Sequence, residues 1–279
     1  MAHKNKQNIK IHSSKYMNSL FVWNFKASFA GKGIEFQDFR EYAPEDDAKY
    51  IDWARSSMES SMIMRRYKEE KSSDILCYLD MRESLLYQDA IKLELLKKIT
   101  NFLYHASISS SEKFGWYIDS KNTIEYIIPK RNPSSLYKIH NFSWEFHDTS
   151  ELLEISSLMN PTLKRSIIFI LSDSMNIDTK SFKTSALKHD IIFIHIASSF
   201  EDTLRSEWIS YLRWVWWNIS VNLDDETKKN EYIKLRKQKK ELFNSELKSL
   251  WIDSMFVNET SSLQWEFLTL MKKRMNFVR

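Results

Sequence analysis

Over the last two thirds of the chain, short continuous apolar runs alternate with stretches of helical periodicity. Asp74–Asp80 and Ser166–Asp173 are apolar runs that each end in an acid. Between them, residues 87–105 carry Ile91, Leu95, Ile99 and Phe102 at helical spacing. Phe114–Ile118 and Thr123–Ile128 read as two strands about a polar turn. A helix near Thr179–Lys188, a buried-type strand over 190–197 and a fourth strand over 214–221 follow. A charged helix over 231–249, a last strand over 251–257 and a closing helix over 263–276 complete the chain. Runs that are apolar throughout, alternating with helices, predict an α/β fold: a doubly wound, mostly parallel, Rossmann-like sheet covered on both faces. Such sheets bind ligands beyond the carboxyl ends of their strands. Asp80 and Asp173 fall at that edge on separate strands. The bland alternative is that each acid only caps the helix that follows it.

The first seventy residues break this pattern and are expected to form a segment of their own (1–70), packed on a main domain spanning 71–279. Their densest stretch, residues 31–53, interleaves acids and bases with aromatics: Glu35, Phe36, Asp38, Arg40, Glu41, Tyr42, Asp46, Asp47, Asp52 and Trp53. We read it as a network of partly buried salt bridges around aromatic anchors. A carboxylate-rich metal site is the sharper alternative, but hard cations need convergent oxygens on tight, usually Gly-assisted loops, and no EF-hand spacing is present.

Composition removes several classes. The 279 residues are 43% hydrophobic and 28% charged, an ordinary globular balance. The single cysteine, Cys77, allows no internal disulfide or cysteine-rich zinc site, and its place in an apolar run suits packing better than nucleophilic chemistry. No run is long and apolar enough to span a membrane, and the basic N-terminus lacks the apolar core of a secretory signal. A cytoplasmic protein is expected. With 41 basic and 37 acidic residues the formal charge is +4, too mild to imply nucleic acid. The most basic run, residues 228–241, reads as the solvated face of a helix with Tyr232, Leu235 and Leu242 turned to the sheet; a phosphate-contacting surface is the alternative. The histidines form no zinc-type pairing, and His105 and His195, in apolar surroundings, read as satisfied core residues. The lone G-x-G at Gly31 lacks a preceding strand and a third glycine, so it is no dinucleotide fingerprint, and no G-x-S-x-G elbow exists.

Residues 31–53 resemble a bacterial family known as domain of unknown function 58, whose pattern is G-x-G-x-E-F-x-x-x-R-x-Y-x-P-G-D-D-x-R-x-I-D-W. Gly31, Gly33, Glu35, Phe36, Arg40, Tyr42, Pro44, Asp46, Asp47, Ile51, Asp52 and Trp53 match it, while Glu45 and Lys49 depart from it. Residues 64–70, Ser172-Asp173, residues 224–227 and the last helix, ending near Arg274, are similar to further landmarks. The resemblance implies a von Willebrand factor type A-like domain. It also implies a partnership with a MoxR-type AAA+ ATPase in assembling or activating client proteins; no enzymatic activity is established for the family, and from the hydropathy no membrane insertion is expected. Glu35, Arg40, Tyr42, Asp46, Asp47, Asp52 and Trp53 of this segment, with Arg82 at the carboxyl edge of the sheet, are the expected interaction residues.

Type A-like domains can carry a metal-ion-dependent adhesion site: D-x-S-x-S after the first strand, a Thr from a second loop and a later Asp. Here Asp80, Ser84 and Asp173 resemble that site, Arg82 replaces the first Ser, and the Thr has only Ser134 or Ser135 as nearby candidates. Mg²⁺ takes near-octahedral oxygen ligands, whereas a guanidinium is always charged and only donates. Turned inward, Arg82 could take the metal's place and pair with Asp80 and Asp173; turned outward, it would merely remove a ligand. We expect the inward arrangement, hence weak or absent metal binding. Two function classes remain: a non-enzymatic interaction module, and a metal-dependent hydrolase using Asp80 and Asp173.

One imbalance stands apart. Average usage of ~7% predicts about 20 Gly, but there are 3, against 10 Trp. Trp23 and Trp251 stand where the family pattern has Gly, and Trp216 or Trp217 lies near a third such position. Two explanations stay open. Some of these codons are UGA, read as glycine in the source and rendered as tryptophan, or the composition reflects drift in an AT-rich genome.

Overall fold

The computed structural model describes residues 34–44, 46–59, 61–69, 74–110, 112–121, 123–131, 145–148, 151–160, 163–204, 212–214, 217–221 and 226–277. They fall into two compact units, one within Phe29–Ser73 and the other holding everything from Asp74 onward.

The smaller unit is built on an antiparallel pair, β1 (Ile34–Glu41) and β2 (Ile63–Glu69), with a register irregularity between Phe36 and Asp38. Two short turns join the strands, a 3-10 turn Ala48–Tyr50 and α1 (Trp53–Ser56). Each starts at an acid whose carboxylate accepts a backbone N–H that the turn leaves free: Asp47 from Lys49, Asp52 from Arg55. Ile63 and Met64 are buried here, as is Asp52.

The larger unit is a six-stranded sheet in the order β10-β7-β6-β3-β4-β5. Its strands are β3 (Asp74–Asp80), β4 (Phe114–Ser120), β5 (Thr123–Lys130), β6 (Ser166–Ser172), β7 (Asp190–Ile196) and β10 (Asp253–Val257). All neighbours run parallel except β4 and β5. Parallel strands need crossovers, supplied in part by α2 (Tyr87–Ser109), α3 (Thr179–Lys188) and α5 (Glu226–Ser249); α6 (Leu263–Phe277) closes the unit. β6 is buried at every position, the signature of a strand covered on both faces. On one face Phe182 of α3 and Phe243 and Leu247 of α5 join Tyr78, Ile168, Ile170 and Phe193 in one core. On the other, Phe267 of α6 packs on Phe102 of α2 and Phe169 of β6.

Chain direction across the sheet reverses at one place. β3 leads to β4 and β5 on one side, and β6 then returns to pair with the other edge of β3. The carboxyl ends of β3 and β6 therefore flank a topological switch point, where open α/β sheets place their ligands.

Four expectations need correction. The stretch 214–221 adds no strand to the sheet: β8 (Leu212–Trp214) and β9 (Trp217–Val221) form a hairpin of their own, with Trp214 opposite Trp217. The backbone groups of such short segments are satisfied by pairing with each other. The charged helix turns a different face inward, burying Arg236, Phe243 and Leu247 and leaving Leu242 72% exposed, because acids on a neighbouring segment draw Arg236 in. His105 is exposed on α2. His195 is buried, but neither ring nitrogen has a partner among the described residues.

Candidate functional site

Asp80 ends β3 and Ser172 ends β6, so parallel pairing alone brings their side chains together at the switch point. The Ser172 hydroxyl donates to Asp80 Oδ2 over 2.5 Å. Arg82 turns inward: its Nε donates to the same oxygen over 2.6 Å, and both residues are at most 2% exposed. The far end of the guanidinium donates to the carbonyl of Glu151 over 2.6 Å. A parallel bridge pins this segment, with the His147 N–H donating to Met81 O and the Glu83 N–H to His147 O. Burial pushes the Asp80 carboxyl above the usual carboxylate range; Arg82 and Ser172 oppose that rise, and the charge of Asp173 adds to it.

Asp173, the next residue after β6, has a different cation. Lys92 of α2 places Nζ 2.6 Å from Asp173 Oδ2 and 2.9 Å from Glu201 Oε1. Glu201 and Asp202 lie on α4 (Ser199–Thr203), just past the end of β7. Glu201 also accepts from Arg236 of α5 over 2.6 Å, and Asp202 accepts from Arg236 over 2.8 Å and from Lys240 over 2.6 Å. Burial disfavours each charge, yet opposite charges outweigh it: Lys92 and Arg236 are held above their ordinary values, Glu201 and Asp202 below theirs. His195 of β7 faces the opposite outcome. Burial, with Arg236, Lys240 and Lys92 nearby, pushes its imidazole well below the ordinary range, so it is neutral.

A second cluster lies at the end of β4. The Tyr78 hydroxyl donates to Asp119, whose other oxygen is 2.9 Å from His147 Nε2. His147 Nδ1 is 3.2 Å from Glu151 Oε2. An imidazole with a carboxylate at each nitrogen donates to both only when protonated.

The residues expected from sequence therefore divide. Asp80, Arg82 and Asp173 meet at the edge, but Arg82 pairs with Asp80 alone; Asp173 is taken by Lys92, which lies closer. Ser84 sits in the 3-10 turn Glu83–Leu86, its carbonyl accepting from the Tyr87 N–H. Ser134 and Ser135 lie outside the described residues. Asp80 Oδ1 and Asp173 Oδ1 are buried without partners among the described residues. Lys92, Glu201, Arg236, Asp119 and His147 were missed from sequence. A lone Lys on the apolar face of a helix was the signal for Lys92; the others follow only from the fold.

The remaining expected residues lie in the smaller unit. Arg40 pairs with Asp46 over 2.5 Å, and the Ala43 N–H donates to Asp46 over 2.9 Å. Asp52 accepts from Arg65 over 2.8 Å. Asp47 accepts both the backbone N–H of Lys49 and its ammonium, the latter over 2.7 Å. These bonds hold all three carboxyls below the usual range. The Tyr42 N–H donates to Met62 O, and Glu35 stands opposite Lys68 in the hairpin. Trp53 is no core anchor: it is 65% exposed. Arg55 instead lies over the Phe39 ring, 4.0 Å from its centre.

Known proteins supply three comparisons. No curated protein matches the chain. Thirty-one solved chains do match; among them the VWA domain of SpRpn10 is 12% identical, with a TM-score of 0.41 over 70% of this chain and 92% of that one. The model of a protein family of unknown function, DUF58, matches residues 38–209, more than half of the chain. That match covers the Arg40–Trp53 segment and the acids at the ends of β3 and β6 alike, and the chain belongs to the DUF58 family.

Proposed function

We propose that this protein is a non-enzymatic interaction module, a partner of a MoxR-type AAA+ ATPase in the assembly or activation of client proteins. Its adhesion-site carboxylates are neutralised by the protein's own cations. The ATPase partnership rests on the family resemblance; what supports the neutralised site is that Arg82 Nε lies 2.6 Å from Asp80 and Lys92 Nζ 2.6 Å from Asp173. A divalent ion needs several converging oxygens and repels nearby cations. No group of three or more His, Cys, Asp or Glu suited to a metal occurs among the described residues. The residues present do not fit Mg²⁺, and no catalytic step is assigned to it.

Asp80 Oδ1 and Asp173 Oδ1, buried without a partner among the described residues, are what speaks for the second reading, a metal-dependent hydrolase. Titration calorimetry with Mg²⁺ tests the neutralised site: weak or absent binding is expected, and micromolar affinity that disappears in Asp80→Ala would overturn it, as the hydrolase reading requires. Co-purification tests the partnership: with the ATPase co-expressed, Arg40→Ala or Asp47→Ala is expected to weaken recovery of the complex. If both variants fold normally and still co-purify, the interface lies elsewhere.

A further inference from the structure

The residue at 251 occupies a glycine site, and we infer that it is glycine in the native protein, encoded by a UGA codon that the source organism reads as glycine. The geometry comes first. α5 ends at Ser249, and the chain turns out of it through two hydrogen bonds: Ile252 N–H to Leu247 O over 3.0 Å, and Trp251 N–H to Lys248 O over 3.0 Å. These are the paired bonds of a Schellman cap, which places the residue between them in the left-handed region. Position 251 has φ 62°. There the Cβ of an L-residue crowds the following carbonyl, so glycine is the usual occupant. The cap's hydrophobic contact is also in place, with Ile252 and Leu247 in one core.

The tryptophan gains nothing in return. Its side chain is 94% exposed, so no packing offsets the backbone conformation. Ala90 and Leu204 are the other non-glycine residues with positive φ among those described; the Leu204 side chain is buried, which offsets its strain as nothing does at 251. The chain has 3 Gly against 10 Trp. One reassigned codon lowers the first count and raises the second together, because each UGA that the source reads as glycine and that is rendered as tryptophan removes one glycine and adds one tryptophan. Trp217 lies in the extended β9, where any residue fits; Trp23 and Trp216 lie outside the described residues.

Two measurements test this. The codon at 251, with the mass of the peptide spanning Leu250–Phe256 from protein purified from its source, is expected to show UGA and glycine. UGG, or a tryptophan mass, overturns the inference. In the full chain made with Trp at 251, Trp251→Gly is expected to raise the melting temperature by about 2–4 °C, and Trp251→Ala by clearly less, since alanine keeps its Cβ. Equal effects of the two substitutions, or a fall with Gly, would remove the structural basis of the inference.

Discussion

Lys92 is a buried ammonium held between two carboxylates; its removal strands Asp173 and leaves Glu201 with Arg236. Breaking one partner out of a buried ionic cluster costs more than the cluster contributes, because the remaining charges stay desolvated. Lys92→Met is expected to lower unfolding stability by about 3–5 kcal/mol, read from the urea midpoint. An unchanged midpoint would mean that Asp173 finds water instead. His195 gives a pH-dependent counterpart. It is neutral in the fold, while the unfolded chain takes up its proton below about pH 6.5. Below that pH the unfolded state binds the extra proton, so this residue removes up to about 1.4 kcal/mol of stability per pH unit as pH falls. Urea unfolding of wild type and His195→Phe from pH 7 to pH 5 is expected to show a shallower loss in the variant. Parallel profiles would show that His195 protonates inside the fold.

At the scale of elements, ends matter more than middles. Asp178 starts α3 by accepting from the N–H groups of Ser181, over 2.9 Å, and Lys180. Asp178→Ala is expected to lower the melting temperature, since two N–H groups of the first turn lose their acceptor, measured by thermal unfolding near neutral pH. β4 and β5 approach so closely at Gly115 that a methyl group there meets both the Ile127 carbonyl and the Pro129 ring. Gly115→Ala is therefore expected to destabilise by about 1–3 kcal/mol, and full tolerance would mean that the strands can part. Element positions were largely legible in the sequence: Asp74–Asp80 and Thr179–Lys188 form as expected, because apolar runs and an acid before a helix are local signals. The phase of α5 was not. Its leucines suggested one face and the fold buries another, since Glu201 and Asp202 draw Arg236 inward.

At the scale of the molecule, the two units differ in what they bury. The larger one encloses strands that are apolar on both faces; among the described residues the smaller buries Ile63, Met64 and Asp52 and carries ion pairs at its surface. Such pairs contribute about 0–1 kcal/mol each. Hydrogen exchange is expected to be faster in the amides of β1 and β2 than in β3, β6 and β7; equal protection would show that the hairpin opens only with the sheet. The sequence alone determined the α/β class, the acids at two strand ends and the scarcity of glycine, because each is written in local pattern or count. Tertiary structure decided which cation meets which acid, and that position 251 needs glycine. Arg82 is two residues from Asp80, but Lys92 reaches Asp173 across 81 positions. Pairings of that span are set by strand order and packing, which no local stretch of sequence contains.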